Sequence, residues 1–247
     1  MSAQSAVQKI DIVALKQSCA GCSLRELCLP MGLNAGEMDE LDELVSTRKS
    51  LKRREYAFRM DTPFRALYAI RSGFFKTYDL QEDGSEQITG FQMAGELIGM
   101  DAISTDHHTC NAVALEDSDL CEIPFAQLED LIRHIPTLQH QFHKLMSREI
   151  IRDHGIMMLL GSMNAEQRLA TFLLNLSQRF AMRGYSPTRF TLRMTRAEIG
   201  NYLGMKLETV SRTLSKFQEG GLLRVQNKEL ELTQMGQLKS ITKRDEC

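Results

Sequence analysis

The stretch from Thr195 to Leu214 reads TRAEIGNYLGMKLETVSRTL and carries the most specific structural pattern in the chain. Thr195, followed three residues later by Glu198, forms a capping box, which predicts the start of a short helix. Gly204 then permits a tight turn, and apolar residues return at the spacing of a second helix. Two short helices joined through a glycine-containing turn are typical of the helix-turn-helix motif.

The second helix of this motif would present polar side chains to a DNA duplex. Glu208, Ser211 and Arg212 lie three and four residues apart, so they share one helix face. Arginine can fork onto guanine, glutamate can accept from the amino group of cytosine, and serine adapts to either base. Together with Thr195 and Lys206, at the starts of the two helices, they form the predicted DNA-contacting set.

Further elements on both sides of the motif complete a small domain. Asn164 with Gln167 predicts another helix start, and apolar residues follow on one face until Gly184 closes the helix. After the motif, short apolar runs at 222–225 and 230–232 predict a β-hairpin wing.

Charge is divided unevenly along the 247 residues. From Met163 to the end there are 14 Lys and Arg against 8 Asp and Glu, whereas the first 162 residues carry a balance of −8. A basic C-terminal segment on an acidic body suits one domain that meets phosphates and another that does not. The length itself favours two domains.

Short apolar runs alternate with turn residues from about 51 to 123. Turns are predicted at 71–73 and at 83–84, both of which contain glycine. Many short strands separated by turns favour a compact β-barrel or roll. Pro124 suits a first helical position, so we expect a helix to follow the last strand.

A long helical pattern runs from Pro136 to about Leu160. One stripe of this helix repeats at steps of four and three residues, through Phe142, Met146, Ile150, Asp153, Met157 and Leu160. Such spacing is typical of a coiled-coil seam and predicts a dimerisation helix, in which Ile150 and Met157 flank Asp153. The alternative is a helix packed along its own domain.

Three of the six cysteines lie close together near the N-terminus, at Cys19, Cys22 and Cys28. Their thiolates could surround one soft metal centre, and a [4Fe–4S] cluster would need a fourth ligand. The candidates for that ligand are Cys110, Cys121 and Cys247. Spacing alone equally permits a zinc site with four cysteine ligands.

The helix-turn-helix segment closely resembles the winged helix of the cyclic-AMP receptor and fumarate-and-nitrate-reduction regulator superfamily. Other segments that match the superfamily are Tyr68–Gly73, Glu86–Phe91, Cys121–Pro124 and Asn164–Arg168. The resemblance spans about Cys19 to Leu232. Lys206 departs from it, because members often have a serine or threonine cap there; lysine cannot accept from backbone amides, although its charge could reach a phosphate.

The resemblance implies an α+β architecture in four parts: a cluster-binding segment (1–30), a jelly-roll-like β-roll sensor of the cyclic-nucleotide-binding type (31–135), a dimerisation helix (136–162) and a winged helix-turn-helix (163–247). It also implies that Cys121 is the fourth ligand of a [4Fe–4S] cluster. The cluster-loaded homodimer would bind palindromic TTGAT-type half-sites on double-stranded DNA and activate or repress transcription. Oxygen would convert the cluster and release inactive monomers.

Other partners and functions follow from the same residues. No Lys or Arg lies between Lys76 and Arg133, so a cyclic nucleotide would lack its usual phosphate partner in the roll. Loops 81–86 and 117–119 are expected contacts for RNA polymerase. A solvated loop is expected at His107-His108 rather than a metal site.

No catalytic pattern such as a nucleophile–base pair or a P-loop is evident, so we expect no enzyme; an iron–sulfur electron carrier would leave the helix-turn-helix unexplained. No apolar run approaches the roughly 20 residues that span a bilayer, and the N-terminus lacks a signal-peptide pattern. We therefore expect a cytoplasmic location, where cysteines stay reduced and serve metal or redox chemistry.

Overall fold

The computed structural model describes residues 19–45 and 47–242, whose N-terminal half forms an antiparallel β-roll. A short helix, α1 (Ala35–Leu44), precedes the roll. The strands are β1 (Thr47–Leu51), β2 (Tyr56–Phe58), β3 (Ala66–Ser72), β4 (Phe74–Leu80), β5 (Glu86–Met93), β6 (Leu97–Ile98), β7 (Asn111–Ala114) and β8 (Ser118–Pro124). They form two four-stranded sheets, β1-β8-β3-β6 and β2-β7-β4-β5. The predicted roll is confirmed.

The predicted turns lie between the expected strands. Gly73 separates β3 from β4, and the hairpin between β4 and β5 turns at Asp83-Gly84, where Asp83 Oδ1 accepts the Ser85 N–H at 2.9 Å. β4 and β5 then pair from Phe74 opposite Met93 to Leu80 opposite Glu86. This long hairpin is the part of the roll that meets the C-terminal domain.

Two helices follow the roll, α2 (Phe125–His134) and α3 (Pro136–Ser162). Pro124 ends β8 and occupies the N-cap of α2, so its predicted first helical position is wrong by one residue. Pro136 does occupy the first turn of α3. Backbone N–H groups in a first turn have no acceptor within the helix, so proline, which lacks this group, costs no hydrogen bond there. No helix in the described ranges combines the length and apolarity needed to cross a bilayer.

The two halves of α3 have different surroundings. Leu138, Phe142 and Leu145 are buried in a core shared with α2 and β3, so the proposed seam does not begin at Phe142. The C-terminal half exposes most of its apolar side chains, with Ile150 55% exposed and Met157 61% exposed. Packing on its own domain therefore accounts for the first half of the helix, and leaves the second half uncovered.

The C-terminal domain is a winged helix-turn-helix. Its helices are α4 (Ala165–Ala181), α5 (Arg196–Leu203), α6 (Leu207–Glu219) and α7 (Met235–Thr242), and its strands are β9 (Arg189–Thr191), β10 (Leu223–Gln226) and β11 (Glu229–Leu232). The capping boxes at Asn164 and Thr195 are both confirmed, as is the hairpin wing of β10 and β11. Two elements were not predicted: β9, which adds a third strand to the wing, and α7.

One apolar core joins the C-terminal domain to the β4–β5 hairpin. The ring of Phe91 contacts those of Phe172 and Tyr202, with centroids 6.1 and 5.1 Å apart. Asn201 then ties α5 to the edge of β5, since its Oδ1 accepts the Ile88 N–H at 2.6 Å and its Nδ2 donates to the Glu86 carbonyl at 2.6 Å. The two domains therefore share a continuous interface in this structure.

A buried carboxylate crosses the same boundary. Glu96, in the turn before β6, lies 2.6 Å from Arg179 near the end of α4, 2.7 Å from Arg183 just beyond α4, and 3.6 Å from Arg152 on α3. We call these four residues the Glu96 ion cluster. Burial alone would raise the pKa of Glu96, but the three arginines outweigh it and lower the pKa to about 2.

Replacing Glu96 with glutamine should destabilise the fold, because three partly buried guanidinium groups lose their common carboxylate. We expect a loss of about 3–5 kcal/mol in the free energy of unfolding, measured by urea denaturation at pH 7. Glu129→Gln, at an exposed position on α2, is the matched control and should change little.

The same pair of proteins gives a pH test. The lowered pKa of Glu96 contributes stability above the ordinary value of 4.5, and this contribution is lost as the pH falls towards about 2. The difference between wild type and Glu96→Gln should therefore narrow below about pH 4.5. A difference that stays constant down to pH 3 would contradict this electrostatic account.

Candidate metal centre and nucleic-acid interface

The four cysteines predicted as ligands line a single cavity of about 50 Å³. Cys19, Cys22 and Cys28 reach it from the loop of residues 19–28, which we call the cysteine loop. Cys121 reaches it from the middle of β8, where it pairs with Arg48 on β1 and Ala69 on β3. Two segments far apart in the sequence thus bring their thiols to the same place.

Local hydrogen bonds shape the cysteine loop. The Cys22 N–H donates to the Cys19 carbonyl at 3.1 Å, and a one-turn 3-10 helix, Arg25–Leu27, leads into Cys28. The Cys19 N–H donates to Asp42 Oδ1 at 2.6 Å, which anchors the start of the loop to α1. These turns set the three thiols along one wall of the cavity.

The pKa values of three of these thiols, Cys19, Cys28 and Cys121, are raised, which favours their protonated form when no metal is bound. Burial raises the pKa of Cys28 to about 12. The pKa of Cys19 is raised mainly by burial and secondly by a hydrogen bond with Asp42. Burial also raises the pKa of Cys121, against an opposing effect of Arg71 and Arg48. Binding of a soft metal centre would therefore release protons.

The donor set fits a thiolate-ligated metal centre. Four sulfurs around one cavity are the complement of an iron–sulfur cluster and also of a structural zinc site. Within residues 19–45 and 47–242, however, no three potential ligands converge closely enough to hold a single ion. The four thiols surround the cavity and do not meet at one point.

The remaining wall of the cavity is both apolar and cationic. Leu24, Leu29 and Ile123 supply the apolar surface, while the guanidinium groups of Arg48 and Arg71 also line it. Four thiolates would concentrate negative charge, which these two arginines can offset. Sequence spacing gave no signal for either arginine, because strand pairing alone brings β1 and β3 beside Cys121.

The cysteine loop also touches the turn that carries Glu96. Gly95 has a φ of +88°, and a Cβ at this position would lie 3.1 Å from Leu27 Cβ and 3.7 Å from Leu24 Cδ2. A larger residue would therefore press on the loop as well as strain the backbone. The cysteine loop and the Glu96 ion cluster meet at two adjacent residues.

Two predictions about neighbouring residues have different outcomes. Cys110, one of the candidates for the fourth ligand, is buried in the roll core and does not line the cysteine cavity, whereas Cys247 lies outside the described residues. The solvated loop predicted at His107-His108 is wrong for His108, which is only 3% exposed. Its ring stacks on Phe58 at 3.7 Å, and its Nδ1 lies 3.5 Å from Asp101.

The predicted DNA-contacting residues occupy the outer surface of the helix-turn-helix. Glu208, Arg212 and Lys206 are exposed, and Ser211 is half-buried beside Arg196, whose Nη1 lies 3.4 Å from its Oγ. Lys206 is the N-cap of α6 and makes no side-chain capping bond, in agreement with its departure from the superfamily. Thr195 caps α5 by accepting the Glu198 N–H at 3.1 Å, and remains exposed.

A second and larger cavity, which we call the roll cavity, has a volume of about 310 Å³ and lies between the β-roll and α3. The charged side chains that line it are acidic: Asp101 from the roll, and Glu149 and Asp153 from α3. Such a wall repels phosphate. Asp153 is exposed on α3 between Ile150 and Met157.

Family models match both halves of the chain. The Crp-like helix-turn-helix domain matches residues 167–241, and the cyclic nucleotide-binding domain matches residues 48–134. Among solved structures, FixK2 from Bradyrhizobium japonicum has a TM-score of 0.74 at 28% identity, covering 80% of this chain and 98% of that chain. A transcriptional regulator of the CRP/FNR family from Thermus thermophilus, TTHA1359, has a TM-score of 0.64 at 19% identity, covering 79% of this chain and 98% of that chain, and supports the fold alone.

Curated relatives are similar over most of their length. The fumarate nitrate reduction regulatory protein of Klebsiella oxytoca is 50% identical over 210 residues, which cover 85% of this chain and 84% of that protein. The fumarate and nitrate reduction regulatory protein of Escherichia coli strain K12 is 49% identical with the same coverage. These relatives are named as regulatory proteins and not as enzymes. With its winged helix-turn-helix and β-roll, the chain belongs to the CRP/FNR family of DNA-binding transcription regulators, within the group of fumarate and nitrate reduction regulatory proteins.

Proposed function

We propose that this chain is a global transcription regulator that senses oxygen through a [4Fe–4S] cluster held by Cys19, Cys22, Cys28 and Cys121. The observation that carries the proposal is the single cavity lined by these four thiols, which come from two distant segments. The names of the relatives, which refer to reduction of fumarate and nitrate, also support a role in anaerobic metabolism.

When bound, such a cluster supplies the chain with an iron centre that reacts with oxygen. The protein's own residues control access to that centre. Leu24, Leu29 and Ile123 exclude water from the cavity, and Arg48 and Arg71 offset the charge of the thiolates. A zinc site with the same four ligands is the alternative, and the metal content of the protein separates the two.

The structure offers a short physical route from the cysteine loop to the DNA-binding domain. Leu27 lies beside Gly95, and the adjacent Glu96 pairs with Arg179 of α4, with Arg183 just beyond α4 and with Arg152 of α3. A loop that changes its position would press on Gly95 and alter how Glu96 meets the arginines. The ion cluster thus positions both the dimerisation helix and α4.

Single replacement of any of the four cysteines with serine should remove the cluster. Anaerobically purified variants should lose the visible absorbance and the bound iron and sulfide, together with anaerobic activation of a reporter gene. Serine at Cys110 or Cys247 is the matched control and should preserve all of these properties. Full cluster content in Cys121→Ser with loss in Cys110→Ser would show that the fourth ligand is wrong; zinc without sulfide in wild type would reject the cluster itself.

For DNA, we propose that Arg212, Ser211 and Glu208 read base edges while Lys206 and Thr195 contact the backbone. The first three share the outer face of α6. The orphan amides at the start of α6, next to the cationic Lys206, also favour a phosphate at this position. A homodimer would read two such sites with two-fold symmetry.

Arg212→Ala should reduce discrimination at the guanine of a TTGAT-type half-site by about 1–3 kcal/mol and leave other positions less affected. Lys206→Ala should weaken binding to all sequences similarly and reduce the slope of log K against log salt by about one unit. Both are measured by fluorescence anisotropy with a series of single-base variants at several salt concentrations. A uniform loss in both variants would mean that Arg212 positions the helix and reads no base.

We further propose that the C-terminal half of α3 forms the homodimer interface. Its exposed apolar side chains include Ile150, Ile151, Met157 and Met158, each more than half exposed, and they surround Asp153. Burying these side chains against a second copy would stabilise the dimer. Desolvating two facing Asp153 carboxylates would destabilise the dimer by several kcal/mol. The two effects would therefore nearly cancel, and small changes could shift the equilibrium between monomer and dimer.

Asp153→Ala should shift this balance towards the dimer. Sedimentation in air should detect dimers of the variant at concentrations where wild type is monomeric, and DNA binding should become partly independent of oxygen. Asp153→Asn should act in the same direction, since it also removes the charge, while His143→Ala, at an exposed position on the first half of the same helix, is the control. If both Asp153 variants dissociate in air as readily as wild type, Asp153 has no part in the switch.

RNA polymerase completes the proposed set of partners. Residues 81–86 are all exposed at the tip of the β4–β5 hairpin, and Asp117 is exposed in the turn before β8. The turn is held in place by the Lys52–Asp117 ion pair at 2.8 Å and by the Ser50–Asp119 hydrogen bond at 2.6 Å. Firmly held, exposed turns suit contacts with a large partner.

A further inference from the structure

The roll cavity combines acidic, polar and apolar surfaces in a space of about 310 Å³. Thr77, Thr89 and Gln92 supply the polar surface from β4 and β5. Leu97, Ile98 and Met100 supply the apolar surface, and the charged residues are the three carboxylates named above. A volume of this size exceeds that of a bare ion, and the mixture of surfaces suits an organic molecule.

One buried acceptor in this wall lacks a donor. Gln92 is only 8% exposed, and its Nε2 donates to Thr77 Oγ1 at 3.2 Å. Its Oε1 is buried and has no hydrogen-bond partner within the described part of the chain. The amide occupies the space beside Gly90, where a Cβ would lie 2.3 Å from Gln92 Nε2. Buried acceptors are rarely left unpaired, so this oxygen indicates a donor supplied from outside.

The charges around the cavity favour a positively charged donor for Gln92 Oε1. Two of the three carboxylates already have a partner in the protein. Asp101 accepts the Thr109 N–H at 2.8 Å, and Glu149 pairs with Arg152 at 3.0 Å. Asp153 follows Glu149 by one helical turn and opposes its charge: burial first, then Glu96 and Asp153, raise the pKa of Glu149 despite Arg152. An anion would be repelled by this wall, whereas a cation would relieve the repulsion within it.

We propose that the roll cavity binds a small organic dication of the alkyl diamine class. Its ammonium groups would donate to Gln92 Oε1 and to the carboxylate of Glu149, close to the Asp101 carboxylate, and its methylene chain would lie along Leu97, Ile98 and Met100. This ligand has the opposite charge to the nucleotides for which the cyclic nucleotide-binding domain is named. The inference rests on the roll and α3 alone and is independent of the metal centre.

Isothermal titration calorimetry of the full-length protein, handled anaerobically at constant ionic strength, tests the proposal. 1,4-Diaminobutane should bind with saturation and a stoichiometry of one per chain. 1,4-Butanediol, which has the same chain without the charges, should not bind measurably. Magnesium chloride tests for a metal site: magnesium binding that excludes the diamine, or equal heats from the diol, would overturn the proposal.

Two variants locate the ligand within the cavity. Gln92→Leu removes the unpaired acceptor and Glu149→Gln removes one charge, and each should weaken diamine binding about tenfold or more. The matched controls are Gln127→Leu and Glu129→Gln, both at exposed positions on α2, and they should bind as wild type does. Circular dichroism confirms folding of each variant. Unchanged affinity in both cavity variants, or equal loss in the controls, would reject this site.

Discussion

The arrangement of the three structural units depends on one buried carboxylate. Glu96 belongs to the roll, whereas Arg152 belongs to α3, Arg179 to α4 and Arg183 to the turn that follows α4. A buried charge is tolerable only while it is paired, so these three arginines cannot separate from Glu96 without large desolvation penalties. The relative positions of roll, α3 and α4 are therefore coupled, and any movement of one must be compensated by the others.

The metal centre proposed here depends on that coupling as well as on its four cysteines. Three ligands lie on an irregular loop with few regular hydrogen bonds, whereas Cys121 lies on a strand paired on both sides. The loop is thus the part that can adjust, and the strand is the fixed reference. Gly95 is where the adjustable part meets the turn carrying Glu96.

Features encoded by neighbouring residues could be predicted from the sequence. The capping boxes at Asn164 and Thr195, the hairpin wing and the three clustered cysteines all depend on spacings of a few positions. The Glu96 ion cluster could not be predicted in this way, because 83 positions separate Glu96 from Arg179 and no local pattern relates them. The prediction for His108 was wrong for the same reason. Its burial depends on Phe58 and Asp101, which are not its neighbours in the sequence. In α3, periodicity identified the apolar stripe but did not distinguish the half that packs on its own roll from the half that stays exposed.

The apolar core shared by the β4–β5 hairpin and the C-terminal domain has an evolutionary consequence. Winged helices are often regarded as interchangeable modules that recombine with different sensors. Here the Phe91 ring packs against both Phe172 and Tyr202, and Asn201 completes the edge of β5, so each half carries surface that is shaped by the other. A chimera joined at the end of α3 would leave these aromatic rings without their partners. Successful recombination within this family must therefore exchange the β4–β5 hairpin together with the winged helix, and the unit of inheritance is larger than the domain.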